Sequence, residues 1–194
     1  HIFASDLKRG RTIQLSKVAG THDATFSPDK QYYIDQLQSA TIARSVMLHD
    51  NNGLQLRLLH QAPDPWVKFD MPTITVGTLL AADGKTELYY RLITPSNFDE
   101  MKEYPAIVYV YGGPHAQLVT NTPQWGASGW DIYMAQQGYI IFTVDNRGSA
   151  QRGAAFEQVI HRQLGTAEMA DQMKGVEYLK SLPYVDRNRI GVYG

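Results

Sequence analysis

The chain has no cysteine among its 194 residues, which excludes disulfides, thiolate metal sites and a cysteine nucleophile. Cysteine-free proteins occur on both sides of a membrane, so this leaves the compartment open. No stretch approaches the roughly 20 apolar residues that a membrane helix needs. One-sided charge is missing too. The 18 Lys plus Arg stand against 19 Asp plus Glu, with no long run of either, so nothing is built to track a phosphate backbone and no nucleic-acid partner is expected. The opening His1-Ile2-Phe3-Ala4-Ser5-Asp6 has neither an initiator methionine nor a basic and apolar signal pattern. It begins directly in strand-like sequence, so the natural start is expected to lie elsewhere, and the missing leader is silent on export.

What is present is ordinary globular composition, 43% hydrophobic and 19% charged. That suffices for one good core and is short for two complete domains. Residues 1–60 read as short strands separated by turn chemistry: 24–26 runs into Ser27-Pro28-Asp29, 31–38 alternates, and 45–49 leads through Asp50-Asn51-Asn52-Gly53 into 54–59. Asn-Gly between alternating apolar residues is a strong hairpin signal. This third of the chain is expected to be antiparallel β, about one blade of a β-propeller or the edge of a sandwich. A single blade cannot bury both faces and needs neighbours.

Gln61-Ala62-Pro63-Asp64-Pro65 is the best linker, dividing the chain into 1–65 and 66–194. Beyond it, 74–80 and 88–93 read as strands around the Asp83-Gly84 turn, and 106–111 and 139–144 are apolar runs suited to a sheet covered on both faces. Helices are expected at 130–137, 153–163 and 167–181, the last with Met169, Met173, Val176 and Leu179 on one face. A further buried strand starts at 189–193. Strand, helix, strand, helix, strand indicates a parallel sheet with right-handed crossovers, whose functional groups sit at the carboxyl ends of the strands.

Tyr109-Val110-Tyr111-Gly112-Gly113-Pro114-His115 lies at such an end. Two glycines allow a sharp turn and close approach of a ligand, which suits an oxyanion hole. A Tyr hydroxyl can supply one donor there, and Tyr111 is the candidate; a core aromatic beside a plain turn is the other reading. At a second strand end, Asp145 and Arg147 are expected to pair across a loop in which Gly148 permits the turn, a stabilising ion pair with no catalytic role. His115 reads as a solvated loop residue or one facing a substrate. His161, beside Arg162 in the expected helix, reads as surface and has no second ligand at i+3 or i+4, so no metal site is called for. Gly191-Val192-Tyr193-Gly194 opens as a nucleophile elbow Gly-x-Ser-x-Gly does, although any turn could follow a terminal Gly.

In order and spacing these segments resemble the dipeptidyl peptidase IV group of the prolyl oligopeptidase family of serine peptidases. The resemblance rests on Tyr104 to Pro114, on Asp145-Asn146-Arg147-Gly148-Ser149, on Arg162-Gln163-Leu164-Gly165-Thr166, on Asp186-Arg187-Asn188-Arg189-Ile190-Gly191 and on the Phe26-Ser27-Pro28-Asp29 turn. It implies an α/β fold, the end of a β-propeller followed by the first half of an α/β-hydrolase parallel sheet. The implied activity is serine exopeptidase cleavage near the N-terminus of peptides, after proline, releasing di- or tripeptides, with the Tyr111 hydroxyl stabilising the oxyanion. An esterase or acylaminoacyl peptidase on the same scaffold, and a non-catalytic propeller-type binding module, are the alternatives.

In the family pattern the serine, aspartate and histidine of the triad lie beyond Gly194, so these 194 residues alone are expected to be inactive. The implied partners are a peptide substrate and the remainder of the same polypeptide, with room for a homodimer; no cofactor and no metal are called for. The resemblance implies export to the periplasm or the cell exterior, which the residues do not address. An open half-sheet should expose apolar residues such as Ile190 and Val192, so the piece is expected to be stable only with its remaining sequence.

Overall fold

The computed structural model describes residues 1–194, which divide into two compact units. One comprises His1–Lys68 with Thr120–Gly126, the other Phe69–Val119 with Ala127–Gly194.

In the first unit a hairpin of β1 (Phe3–Ser5) and β2 (Thr12–Gln14) precedes a four-stranded antiparallel sheet. That sheet takes β3 (Thr21–Phe26), β4 (Tyr32–Gln38), β5 (Ser45–Asp50) and β6 (Gln55–Gln61) in sequence order. Alternation along β4 turns Tyr33, Asp35 and Leu37 inward. The buried Asp35 carboxylate is taken up by His22 Nδ1 at 2.7 Å, and the other ring nitrogen of His22 meets the Val18 carbonyl at 2.9 Å. The turns are built by short polar side chains: Ser27 Oγ donates to Asp29, and Asp50 Oδ1 accepts from the N–H groups of Asn52 and Leu54. The edge strand β6 is exposed throughout, with Leu56, Leu58 and Leu59 about half open to solvent. This is the unburied face that a single blade must show.

The second unit is a five-stranded mixed sheet in the order β11-β9-β10-β8-β7. Its strands are β7 (Thr73–Leu80), β8 (Glu87–Thr94), β9 (Tyr104–Tyr109), β10 (Ile140–Val144) and β11 (Val185–Tyr193). The hairpin β7–β8 joins antiparallel to β10, while β9, β10 and β11 are mutually parallel. Helix α1 (Gly129–Gln136) connects β9 to β10. The short α2 (Ala154–Glu157), a 3-10 turn at Gln158–Ile160 and α3 (Ala167–Ser181) connect β10 to β11.

All five residues of β10 are buried. Ile141 packs with Ile132 and Ala135 of α1, whereas Ile140, Phe142 and Val144 pack with Leu179 of α3. One helix therefore covers each face, as the unbroken apolar run requires.

Three expectations need correction, the first being that the strand expected to be buried at 189–193 is exposed or half-buried there, since β11 is the edge of the sheet. The expected helix over 153–163 is only one α turn followed by one 3-10 turn, and Arg162 then turns the chain with φ 59°. The buried stripe of α3 is Glu168, Asp171, Gln172, Gly175 and Leu179, while Met169 and Met173 are exposed. The reason is Gly175: a Cβ there would stand 2.9 Å from Phe142 Cε1 and 3.1 Å from Val144 Cγ1, so the helix turns its bare backbone to the sheet. Its polar neighbours Asp171 and Gln172 come inward with it, because partners await them. Met169, Met173 and Val176 instead line a groove with Val108, Val110, Ile190 and Val192 at the β11 edge. Val192 is 73% exposed and Ile190 is half-buried.

Candidate active site

Parallel pairing of β9 with β11 sets Tyr109 opposite Tyr193, and the Val110 N–H donates to the Tyr193 carbonyl at 2.9 Å. Gly194 follows directly, so close to β9 that an added Cβ would collide with the Val110 carbonyl oxygen. The ends of β9 and β11 thus lie side by side at the carboxyl edge of the sheet, and Tyr111 is the next residue on from Val110. Its ring is 56% exposed, lies along the backbone of Gly113, and has no hydrogen bond within the chain. Gly112 takes φ +72° and His115 φ 62°, so the segment after Tyr111 turns sharply.

The loop 111–119 is held by the loop that follows β10. The Asp145 carboxylate accepts from Leu118 N–H at 2.8 Å and Val119 N–H at 3.0 Å. Ala150 N–H donates to the Ala116 carbonyl at 2.9 Å, and the Asn146 amide donates to the Gly112 carbonyl at 3.3 Å. Burial pushes the Asp145 carboxyl above its ordinary range, opposed by those two N–H groups and by Arg91.

Arg91, buried in β8, donates to the Leu118 carbonyl at 2.8 Å and faces Asp131 at 3.5 Å. Asp131 does three things: it completes the capping box of α1 with Ser128, it faces Arg91, and its Oδ1 accepts the Tyr193 hydroxyl at 2.7 Å. Burial and that bond push the Tyr193 phenol well up, and its ring is packed between Tyr109 and Trp130. One polar network therefore reaches both the loop after β9 and the last turn of β11.

Asp145 and Arg147 do not pair, contrary to expectation. Arg147 turns to the other side and donates through Nε and Nη2 to Asp171 at 2.9 and 2.8 Å, and through Nη1 to Asp83 at 3.0 Å. The peptide N–H groups of Arg147 and Ala82 also donate to Asp171. The Asp145 oxygens are instead taken by the Leu118 and Val119 N–H groups. Gly148 has φ +100°, and a Cβ there would stand 2.6 Å from Ile160 Cδ1, so this turn does require glycine. His115 and His161 are both exposed, and they border a common hollow with Arg162 and Glu157.

Sequence reading missed Arg91, Asp131, Asn146, Asp171 and Gln172. The one available signal was a charged residue in the middle of the apolar run of β8.

The second unit has the strand order and crossovers of the first half of an α/β-hydrolase sheet, and the first unit is a propeller-type antiparallel segment. Fold and relatives together place the chain in a family of peptidases. A sequence model of the prolyl oligopeptidase family matches residues 125–194. Human dipeptidyl peptidase 8 is 37% identical over 204 residues, covering 100% of this chain and 23% of that protein. Mouse prolyl endopeptidase FAP is 28% identical, covering 89% and 23%.

Among solved structures, a candidate dipeptidyl aminopeptidase IV from Bacteroides ovatus superposes with a TM-score of 0.92 at 49% identity, covering 98% of this chain and 27% of that one. The dipeptidyl peptidase 4 of Porphyromonas gingivalis gives 0.85 at 31%, covering 99% and 27%. The chain belongs to the prolyl oligopeptidase family, peptidase family S9. It spans about a quarter of the length of the proteins it matches.

Proposed function

We propose that the polypeptide to which these residues belong is a serine exopeptidase that releases di- or tripeptides from the N-terminus of peptides after proline. Residues 1–65 form the end of its propeller and 66–194 the start of its peptidase domain, with Tyr111 an oxyanion donor. A serine held just after β11 adds through its oxygen to the scissile carbonyl carbon and gives its proton to a histidine oriented by an aspartate. The C–N bond then breaks, the amine leaves with that proton, and water hydrolyses the acyl-enzyme. Those three residues come from the rest of the polypeptide, and the chain alone is inactive. Its own contribution is the phenol: the hydroxyl donates to the carbonyl oxygen as that oxygen becomes negative.

The observation that carries this reading is the position of Tyr111. It is solvent-facing, uncommitted to any partner in the chain, and next to the Val110 peptide that pairs with Tyr193. A phenol buried in the core would have ruled the role out.

The test is Tyr111→Phe in the full-length protein, assayed on a glycyl-prolyl anilide. Loss of one preorganised donor should lower kcat on the order of 100-fold or more with little change in KM. An undiminished kcat would refute the assignment. Wild-type protein inactive on the anilide but active on a simple ester would replace the peptidase reading by the esterase one.

A further inference from the structure

We infer that Asn146 is a positioning residue for the oxyanion tyrosine, acting through the Gly112 peptide. This rests on the role proposed for Tyr111.

Asn146 is 3% exposed, and every group around its side-chain amide dictates that amide's orientation. The Nδ2 end faces two peptide carbonyls, those of Gly112 at 3.3 Å and Arg147 at 2.8 Å. A carbonyl only accepts, so that end must be the NH2. The Oδ1 end receives Gln172 Nε2 at 2.8 Å, and the same Gln172 nitrogen donates to the Val144 carbonyl at 3.1 Å. Gln172 likewise has only one orientation compatible with its acceptors. The result is a directed relay in which α3, through Gln172, orients Asn146, and Asn146 fixes the peptide one residue beyond Tyr111.

Neither side chain of similar volume does this. Aspartate would set a carboxylate oxygen against two carbonyls, and leucine would leave both carbonyls and the Gln172 donor unpaired in a buried site.

Its distance along the loop is what singles Asn146 out. The loop 111–119 is tied to the loop after β10 at three places: Leu118 and Val119 by Asp145, Ala116 by Ala150, and Gly112 by Asn146. The first two hold the far end of the loop, and only the third adjoins Tyr111. Gly112, at φ +72°, has no side chain of its own to restrain the backbone next to Tyr111. An oxyanion donor stabilises the transition state only if it is already aimed when charge develops, and a misplacement of about 1 Å costs on the order of 100-fold. Holding the Gly112 carbonyl removes the backbone freedom that would permit such a misplacement.

The experiment is a double-mutant cycle in the full-length protein with Asn146→Ala, Tyr111→Phe and the pair, measuring kcat and KM on the anilide and checking folding by thermal melt. N146A alone should lower kcat about 10- to 100-fold with KM within about threefold. In the Y111F background it should have almost no further effect, because there is no longer a hydroxyl to aim. A merely structural asparagine would slow both backgrounds by the same factor, and that multiplicative result would overturn the inference. N146A at wild-type kcat beside a slow Y111F would also overturn it while leaving the oxyanion assignment standing. Wild-type kcat in Y111F would remove the assignment and the inference together. Should N146A fail to fold, Asn146→Asp carries the same cycle, since it keeps the volume and the acceptor for Gln172 while replacing the donor to the Gly112 and Arg147 carbonyls by a carboxylate oxygen.

Discussion

Truncating Asp171 tests the central correction, that Arg147 is paired with α3 and the β7–β8 turn rather than with Asp145. Asp171 is fully buried and its two oxygens receive four N–H groups, from Ala82, from the Arg147 peptide and from Arg147 Nε and Nη2, all at 2.8–3.0 Å. Asp171→Ala strands the guanidinium, whose side chain is 13% exposed, with Asp83 as its remaining carboxylate. Breaking a buried pair from one side typically costs about 3–5 kcal/mol; slight water access and the Asp83 contact place this case near about 3 kcal/mol.

Arg147→Met and the double variant complete the cycle, with unfolding of the full-length protein followed in urea. The Arg147–Asp171 coupling should be about 1.5–3 kcal/mol and the Arg147–Asp145 coupling, from Asp145→Asn, below about 0.5 kcal/mol. A larger coupling to Asp145 than to Asp171 would refute the assignment, and D171A within about 1 kcal/mol of wild type would refute the energetic argument.

Gly148→Ala should lose about 2–4 kcal/mol, since it combines a left-handed backbone at φ +100° with a Cβ driven into Ile160. Part of this loss should return in the G148A/Ile160→Val pair, and a G148A urea midpoint equal to wild type would contradict the packing. Asp83 is held below the usual carboxylate range, first by the Thr86 hydroxyl, then by the Thr86 and Lys85 N–H groups and by Arg147. A depressed folded value means its stabilisation is complete above about pH 4 and is lost as pH falls through the folded pKa. The Tm advantage of wild type over Asp83→Asn should therefore shrink as pH falls from about 4 to about 2; a gap constant with pH would show that ionisation of Asp83 is not linked to folding.

The apolar skeleton was legible in the sequence. The run at 140–144 announced a strand covered on both faces, the alternation at 32–38 a half-buried one, and Asn52-Gly53 a turn, because each of these is decided by neighbours in sequence. The polar interior was not. Asp171 meets Ala82 across 89 positions, Arg91 meets Leu118 across 27, and Tyr193 meets Asp131 across 62. No local pattern foretells which charged residue will find such a partner. The face of α3 was misread for the same reason: by apolarity Met169 and Met173 belong inside and Asp171 and Gln172 outside, but Gly175 fixes which side approaches Phe142 and the distant partners make polar burial affordable. Tyr111 was legible as a candidate from its place at a strand end before two glycines, while Asn146 stood within a segment that carried the family resemblance but gave no sign that it would touch Gly112.

This division also bears on why so much polarity is buried beside the proposed site. Apolar burial is non-directional and would tolerate a loop displaced by a fraction of an ångström, whereas an oxyanion donor would not. Hydrogen bonds supply the missing direction. The loop after β9 is referenced to β10 through Asp145, Asn146 and Ala150, and Arg91 joins its far end to the Asp131 that receives Tyr193, the residue before Gly194. Both sides of the carboxyl edge thus share one hydrogen-bonded frame, anchored on β10, which is buried from both faces. Replacing such groups by well-packed apolar ones can be neutral or better for stability, so stability alone does not account for an arginine, two aspartates, an asparagine and a glutamine buried together. Their common effect is to fix the relative position of two strand ends, which is what a site assembled from two separate segments must have.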